Sequence, residues 1–119
     1  MNWVWVCIGG GLGAAIRWSL SSFFTSDSSF PYGTLSVNLL GCLLIGMASV
    51  WVLHHPKWSL FLITGFLGGF TTFSSFGLEV FKLLQLEEYR KCVTYVLLSN
   101  ILGVALVILA HKLTSYLIQ

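Results

Sequence analysis

Of the chain's 119 residues, 56% are apolar and only 8% charged, with a formal net charge of +2. A soluble domain carries about 25% charged residues, so this composition excludes a water-facing globule. It also argues against a nucleic-acid partner, and none is expected.

The apolar residues come in four long blocks that nearly exhaust the chain: Trp3–Phe24, Gly33–Leu53, Trp58–Leu83 and Cys92–Leu117. Crossing the hydrocarbon core as helix takes about 20 predominantly apolar residues, because every backbone group must be bonded internally there. The blocks therefore predict an all-α integral membrane protein, with residues 1–119 forming a single four-helix transmembrane domain. The strict alternation of a transmembrane β-strand is absent. The first block runs past the length of a signal-peptide core and carries Arg17, so it reads as a span.

Along the first block, Gly9-Gly10-Gly11-Leu12-Gly13 contains Gly-x-Gly, but without a preceding strand or a following acid it does not read as a dinucleotide site. Gly10 and Ala14, four apart, are expected to face a neighbouring helix; so are Gly41 and Gly46 on the second block, Gly65 and Gly69 on the third, and Ser99 and Gly103 on the fourth. Arg17 has a stem long enough to snorkel to the headgroups, which makes it an anchor or a pore charge. In the second block Asn38 is isolated among apolar residues, as interhelical glue or as an amide donor on an ion path. His54-His55-Pro56 reads as a turn. Cys7, Cys42 and Cys92 fall in or beside different blocks with no paired spacing, and read as small packing residues.

The third block holds the least helical run, Gly68-Gly69-Phe70-Thr71-Thr72-Phe73-Ser74-Ser75-Phe76. Glycine, serine and threonine in succession are poor helix formers, and their side chains compete for backbone bonds. Irregular backbone at membrane depth is tolerated only where it is buried in protein or lines a cavity. The run is either a break near the midplane or a hydroxyl-induced kink. On the fourth block Tyr95, Ser99 and Gly103 share a face, the first two supplying hydroxyls.

Intramembrane acids of the kind a proton-coupled pump uses are missing, since Asp27, Glu79, Glu87 and Glu88 fall in loops or near block ends. What remains is hydroxyls, one amide and nine phenylalanines, whose ring edges carry partial positive charge. That set favours a small anion without choosing which one. The face with the 54–57 turn and both termini carries Lys57 and Lys112; the face with the 25–32 and 84–91 loops carries Lys82, Arg90 and Lys91. Two against three sets no orientation under the positive-inside rule. Insertion both ways would permit an antiparallel two-fold dimer; weak statistics in a small chain are the alternative.

Three stretches carry a family resemblance in chain order: Gly9 through Arg17, Gly33 through Gly41, and Gly65 through Phe76. They resemble the Fluc fluoride channels, also called the CrcB family. The resemblance implies a dual-topology homodimer with a second, antiparallel copy, two pores, and a third helix broken at the midplane. It implies residence in the plasma (inner) membrane and passive export of fluoride ion. Phe73 and Phe76 match the pair whose ring edges line the pores, with Asn38 beside them. Tyr95 and Ser99 match a polar track, and Thr72 and Ser75 are hydroxyl neighbours. Gly68 and Thr71 match the carbonyls that hold a central sodium ion (Na+), while Arg17 and Glu79 match structural and vestibule positions. Gly103 stands where some members have a third hydroxyl. A small multidrug exporter is the other four-helix reading, but its first helix carries a glutamate and this one has no acid. An accessory subunit would pass no ion by itself.

Overall fold

The computed structural model describes residues 1–24 and 27–118. Residues 25 and 26, at the start of the expected 25–32 loop, lie outside it. Helix α1 covers Asn2–Phe23 and α2 covers Tyr32–His54, the latter starting after Pro31, whose fixed φ and missing N–H suit a helix entrance. Pro56 opens α3, residues 56–70, with a 3₁₀ turn at Pro56–Trp58 that widens to π-helix over Leu60–Leu67 and returns to α at Gly68–Phe70. Helix α4 covers Phe73–Gln85. After a tight turn with Glu87 at φ 57, α5 runs from Tyr89 to Ile118, with a π turn at Leu98–Leu102.

Four stretches are long and apolar enough to cross a membrane: Asn2–Phe23, Tyr32–His54, Pro56–Gln85 and Tyr89–Ile118. Each lies within a few residues of its block in the sequence. The bundle is 47 Å along its longest axis, close to the full thickness of a bilayer with its headgroups. Trp3, Trp18, Leu109, Leu113 and Leu117 are among many large apolar side chains left exposed, a surface suited to lipid and not to water. This is a multi-pass membrane protein.

Two contact zones organise the bundle. Helices α1 and α3 approach so closely that a Cβ at Gly9 would meet the Phe61 carbonyl, and one at Gly13 the Phe66 carbonyl. The small-residue stripe of α1 is therefore Gly9 and Gly13 together with the expected Gly10, whose backbone a Cβ at Gly69 would strike. The second zone is the apolar core between α2, α4 and α5, built from Leu35, Leu83, Cys92 and Tyr95 with Phe30, Phe76 and Val80 against it.

Candidate functional site

Between α3 and α4 the backbone leaves helical geometry for two residues, Thr71 at φ −91, ψ 157 and Thr72 at φ −148, ψ 125. The chemistry that the sequence run supplies accounts for each end. Thr71 closes α3, its N–H and its hydroxyl both donating to the Leu67 carbonyl at 3.0 Å. Thr72 opens α4 as its N-cap, its hydroxyl oxygen accepting from the Ser75 N–H at 3.2 Å. The extended peptide between them is held by Asn38 of α2. Its Nδ2 donates to the Thr72 carbonyl at 3.0 Å, and its Oδ1 accepts from the Thr72 N–H at 2.9 Å. Asn38 thus imitates a paired strand for one residue.

This clamp redistributes the helix bonds around it. In an unbroken helix the Thr72 N–H would donate to the Gly68 carbonyl and the Ser75 N–H to the Thr71 carbonyl. Both donors are turned elsewhere, to Asn38 and to the Thr72 hydroxyl. The Gly69 carbonyl accepts from Arg17 Nε at 3.0 Å. Arg17 is therefore a ligand of the interrupted backbone and not only a headgroup anchor. Main-chain carbonyls released in this way are a donor set that fits sodium, a hard cation that takes oxygen ligands. Among the described residues no group of three His, Cys, Asp or Glu side chains could hold a metal ion.

A cavity of about 310 Å³ opens beside the interruption. Asn38, Thr71, Thr72, Phe73, Phe76 and Ser99 line it, as do Cys42 and Asn100. The Phe73 and Phe76 rings tilt against each other with centroids 5.6 Å apart. Phe73 is 80% exposed, so the cavity is open on that side. The Ser99 Oγ is buried and has no hydrogen-bond partner among the described residues. The π turn carries both Ser99 and Asn100 to the cavity; such turns often occur at functional sites.

Tyr95, Ser75 and Gly68 do not line this cavity. Tyr95 is fully buried, its ring 5.0 Å from that of Phe76, and its hydroxyl donates to Glu79 Oε2 at 2.7 Å. Thr34 donates to the other carboxylate oxygen, Oε1, also at 2.7 Å. Glu79, near the end of its block, is thus tied into the bundle by two hydroxyls. It sits within α4, bridged to α2 and α5, and lines a second cavity of about 430 Å³ with Trp18, Thr34 and the Ser28–Tyr32 loop.

Comparison with known proteins decides the family. A family model described as CrcB-like protein, Camphor Resistance (CrcB), matches residues 4–111. This chain belongs to the CrcB family. It is 45% identical over 112 residues to a protein of Helicobacter pylori (strain P12) named fluoride-specific ion channel FluC, covering 87% of this chain and 86% of that one. Proteins of the same name from Helicobacter acinonychis (strain Sheeba), 44% identical over 84% of each chain, and from Azobacteroides pseudotrichonymphae, 43% identical over 93% and 94%, are also similar to it. The relatives are named as ion channels, not enzymes.

Within this CrcB chain the residues that sequence reasoning missed are Thr34, Cys42 and Asn100. A signal for the first two was present: Thr34, Asn38 and Cys42 are spaced four apart, which puts one polar stripe on α2. Asn100 had no such signal. Its amide donates to the Val96 carbonyl at 2.8 Å, one turn back on its own helix.

Proposed function

We propose that this protein is a fluoride-selective channel which lets cytoplasmic fluoride leave passively down its electrochemical gradient. The observation that carries the reading is the cavity uniting an amide, a buried unpartnered hydroxyl and two phenylalanine rings without a fixed charge. The Asn38 amide has two N–H donors and spends one on Thr72, so the second is available to an anion. Ring edges of Phe73 and Phe76 add weak positive potential. Together these replace part of a hydration shell while leaving the ion free to move on. The names of the relatives support fluoride as the ion.

The functional unit is an antiparallel dimer in the plasma membrane, with two pores. The open side of the cavity at Phe73 supports a second copy as its cover. The interruption at Thr71 and Thr72 lies at the midplane of the third span. There the carbonyls of Gly68 and Thr71, from each subunit, would hold one sodium ion, which supplies positive charge at the dimer centre. Asn38, Thr72, Phe73, Phe76 and Ser99 are the pore residues, with Ser75 and Tyr95 beside them. Tyr95 and Thr34 spread the Glu79 charge over two hydroxyls at the second cavity.

Efflux from liposomes holding only this protein tests the reading, with a fluoride electrode for fluoride and chloride as the control anion. Fast fluoride efflux with negligible chloride efflux is expected. Equal flux of the two anions overturns selectivity, and no flux of either favours an accessory subunit.

A further inference from the structure

The cavity beside the interruption is lined by side chains that the channel reading leaves unused, Cys42 among them. Cys42 stands one turn beyond Asn38 on α2 and lines the same space. A Cβ built at Gly103 of α5 would lie 3.2 Å from the Cys42 Sγ. The thiol therefore fills the room that glycine leaves at 103, at the place where a side chain on α5 would stand. One turn earlier on α5 is Ser99, whose buried Oγ has no partner among the described residues. A buried hydroxyl left unpaired is costly. Something that passes through the cavity is the partner available to it, and the Cys42 thiol lines that same cavity.

We propose that Cys42 is an ion-path residue, its thiol serving from α2 as the polar rung beyond Ser99 that Gly103 cannot supply from α5. The proposal rests on the channel reading. A thiol is a weak S–H donor, enough to favour a small anion in transit without holding it. It also makes the path open to a small thiol reagent, unlike a path lined by hydroxyls alone.

Methyl methanethiosulfonate supplies the test. The Cys42 thiolate attacks the sulfenyl sulfur, a new S–S bond forms, methanesulfinate leaves, and the thiol proton goes to water. The natural chain is compared with Cys42→Ser, both retaining Cys7 and Cys92, so that only a difference arising at position 42 counts. Peptide mass reads modification, fluoride efflux reads function, and gel filtration checks assembly. Modification at Cys42 is expected to stop efflux in the natural chain, while Cys42→Ser conducts and is insensitive. Cys42→Ala is expected to slow efflux by about two- to tenfold, the worth of one modest hydrogen bond. Cys42→Ala with Gly103→Ser returns a hydroxyl on α5 and recovers that loss. A conducting chain whose Cys42 is modified without loss of flux overturns the rung alone. So does a Cys42 that stays unmodified while the exposed Cys7 reacts fully. A parent chain that passes no fluoride while Cys42 reacts overturns the channel reading, and the rung with it.

Discussion

Asn38 holds more of the site together than its isolation in an apolar helix suggests. Two hydrogen bonds to one residue, on the peptide units either side of its Cα, fix the Thr72 backbone, and each partly buried backbone group left without a partner costs about 1–3 kcal/mol. Asn38→Ala is therefore expected to lower the unfolding midpoint in detergent as well as fluoride flux. Asn38→Asp keeps the acceptor for the Thr72 N–H but loses both amide donors and adds a repelling charge, so its flux should fall further than its stability. Equal stability losses in the two variants would remove this distinction. The phenylalanines divide differently. Replacement by leucine nearly conserves volume, costing less than about 1.5 kcal/mol in packing, and Phe73 has little packing to lose within one copy. Phe73→Leu and Phe76→Leu are thus expected to cut fluoride efflux strongly while the assembled protein survives gel filtration. Near-normal efflux in both would reduce these rings to packing residues. The sequence singled out Asn38 and both rings by residue type, but not the clamp. An amide bonding a peptide 34 positions away leaves no local pattern to read.

Among the elements, α4 depends on its first residue. Thr72 is its N-cap, and removing such a cap costs about 1 kcal/mol, while serine preserves it. Thr72→Ala should lower stability and flux together, whereas Thr72→Ser should resemble the parent in both melting and efflux. A second tie fastens the start of α5 to the loop before α2. Lys91 bonds to Glu88 at 2.8 Å, Lys91 also donates to Ser29 at 2.9 Å, and Ser29 donates to Glu88. The hydrogen bond from Lys91, then that from Ser29, hold the Glu88 carboxyl below the usual carboxylate range. A depressed folded pKa makes the tie complete above that range and lost as pH falls through the lowered value. Amide protection over residues 27–30 should therefore drop in strong acid, and Glu88→Gln should lose it at every pH. An unchanged protection profile in Glu88→Gln would show that the tie does not order the loop. The four spans were legible because membrane length and uninterrupted apolarity leave no other structure. The π turns were not, since widening a helix by part of a turn leaves hydropathy unchanged. The stripe on α1 was legible at Gly10 but not at Gly9 and Gly13, because four glycines in five positions offer several spacings at once, and only contact with α3 shows which of them approach it.

At the scale of the whole molecule, orientation is governed by very few charges. Lys57 and Lys112 belong to one end of the bundle, and Lys82, Arg90 and Lys91 to the other. Basic residues near span ends set topology, and acidic ones contribute little. Under the proposed dual topology, a margin of one cation leaves both orientations open, as an isologous antiparallel pair requires. The margin can be widened without touching the cavity. Leu86 and Glu87 are exposed in the α4–α5 turn; Leu86→Lys with Glu87→Lys raises the balance from three against two to five against two. His54 and His55 are exposed in the opposite turn; changing both to lysine, with Arg90→Gln, gives four against two in the other sense. Each biased chain expressed alone should insert one way, lose its antiparallel partner and fail to relieve a fluoride-sensitive host. The two expressed together should restore efflux, because the opposed copies can pair. Labelling of an added terminal cysteine from each side of the membrane reads orientation directly, in a chain whose native cysteines are replaced. Two-sided labelling in the parent and one-sided labelling in each biased chain are expected. If the parent's tag is reached from one side only, or if a biased chain conducts normally by itself, the antiparallel dimer is wrong and the cavity at Phe73 must be closed by a parallel neighbour or by lipid.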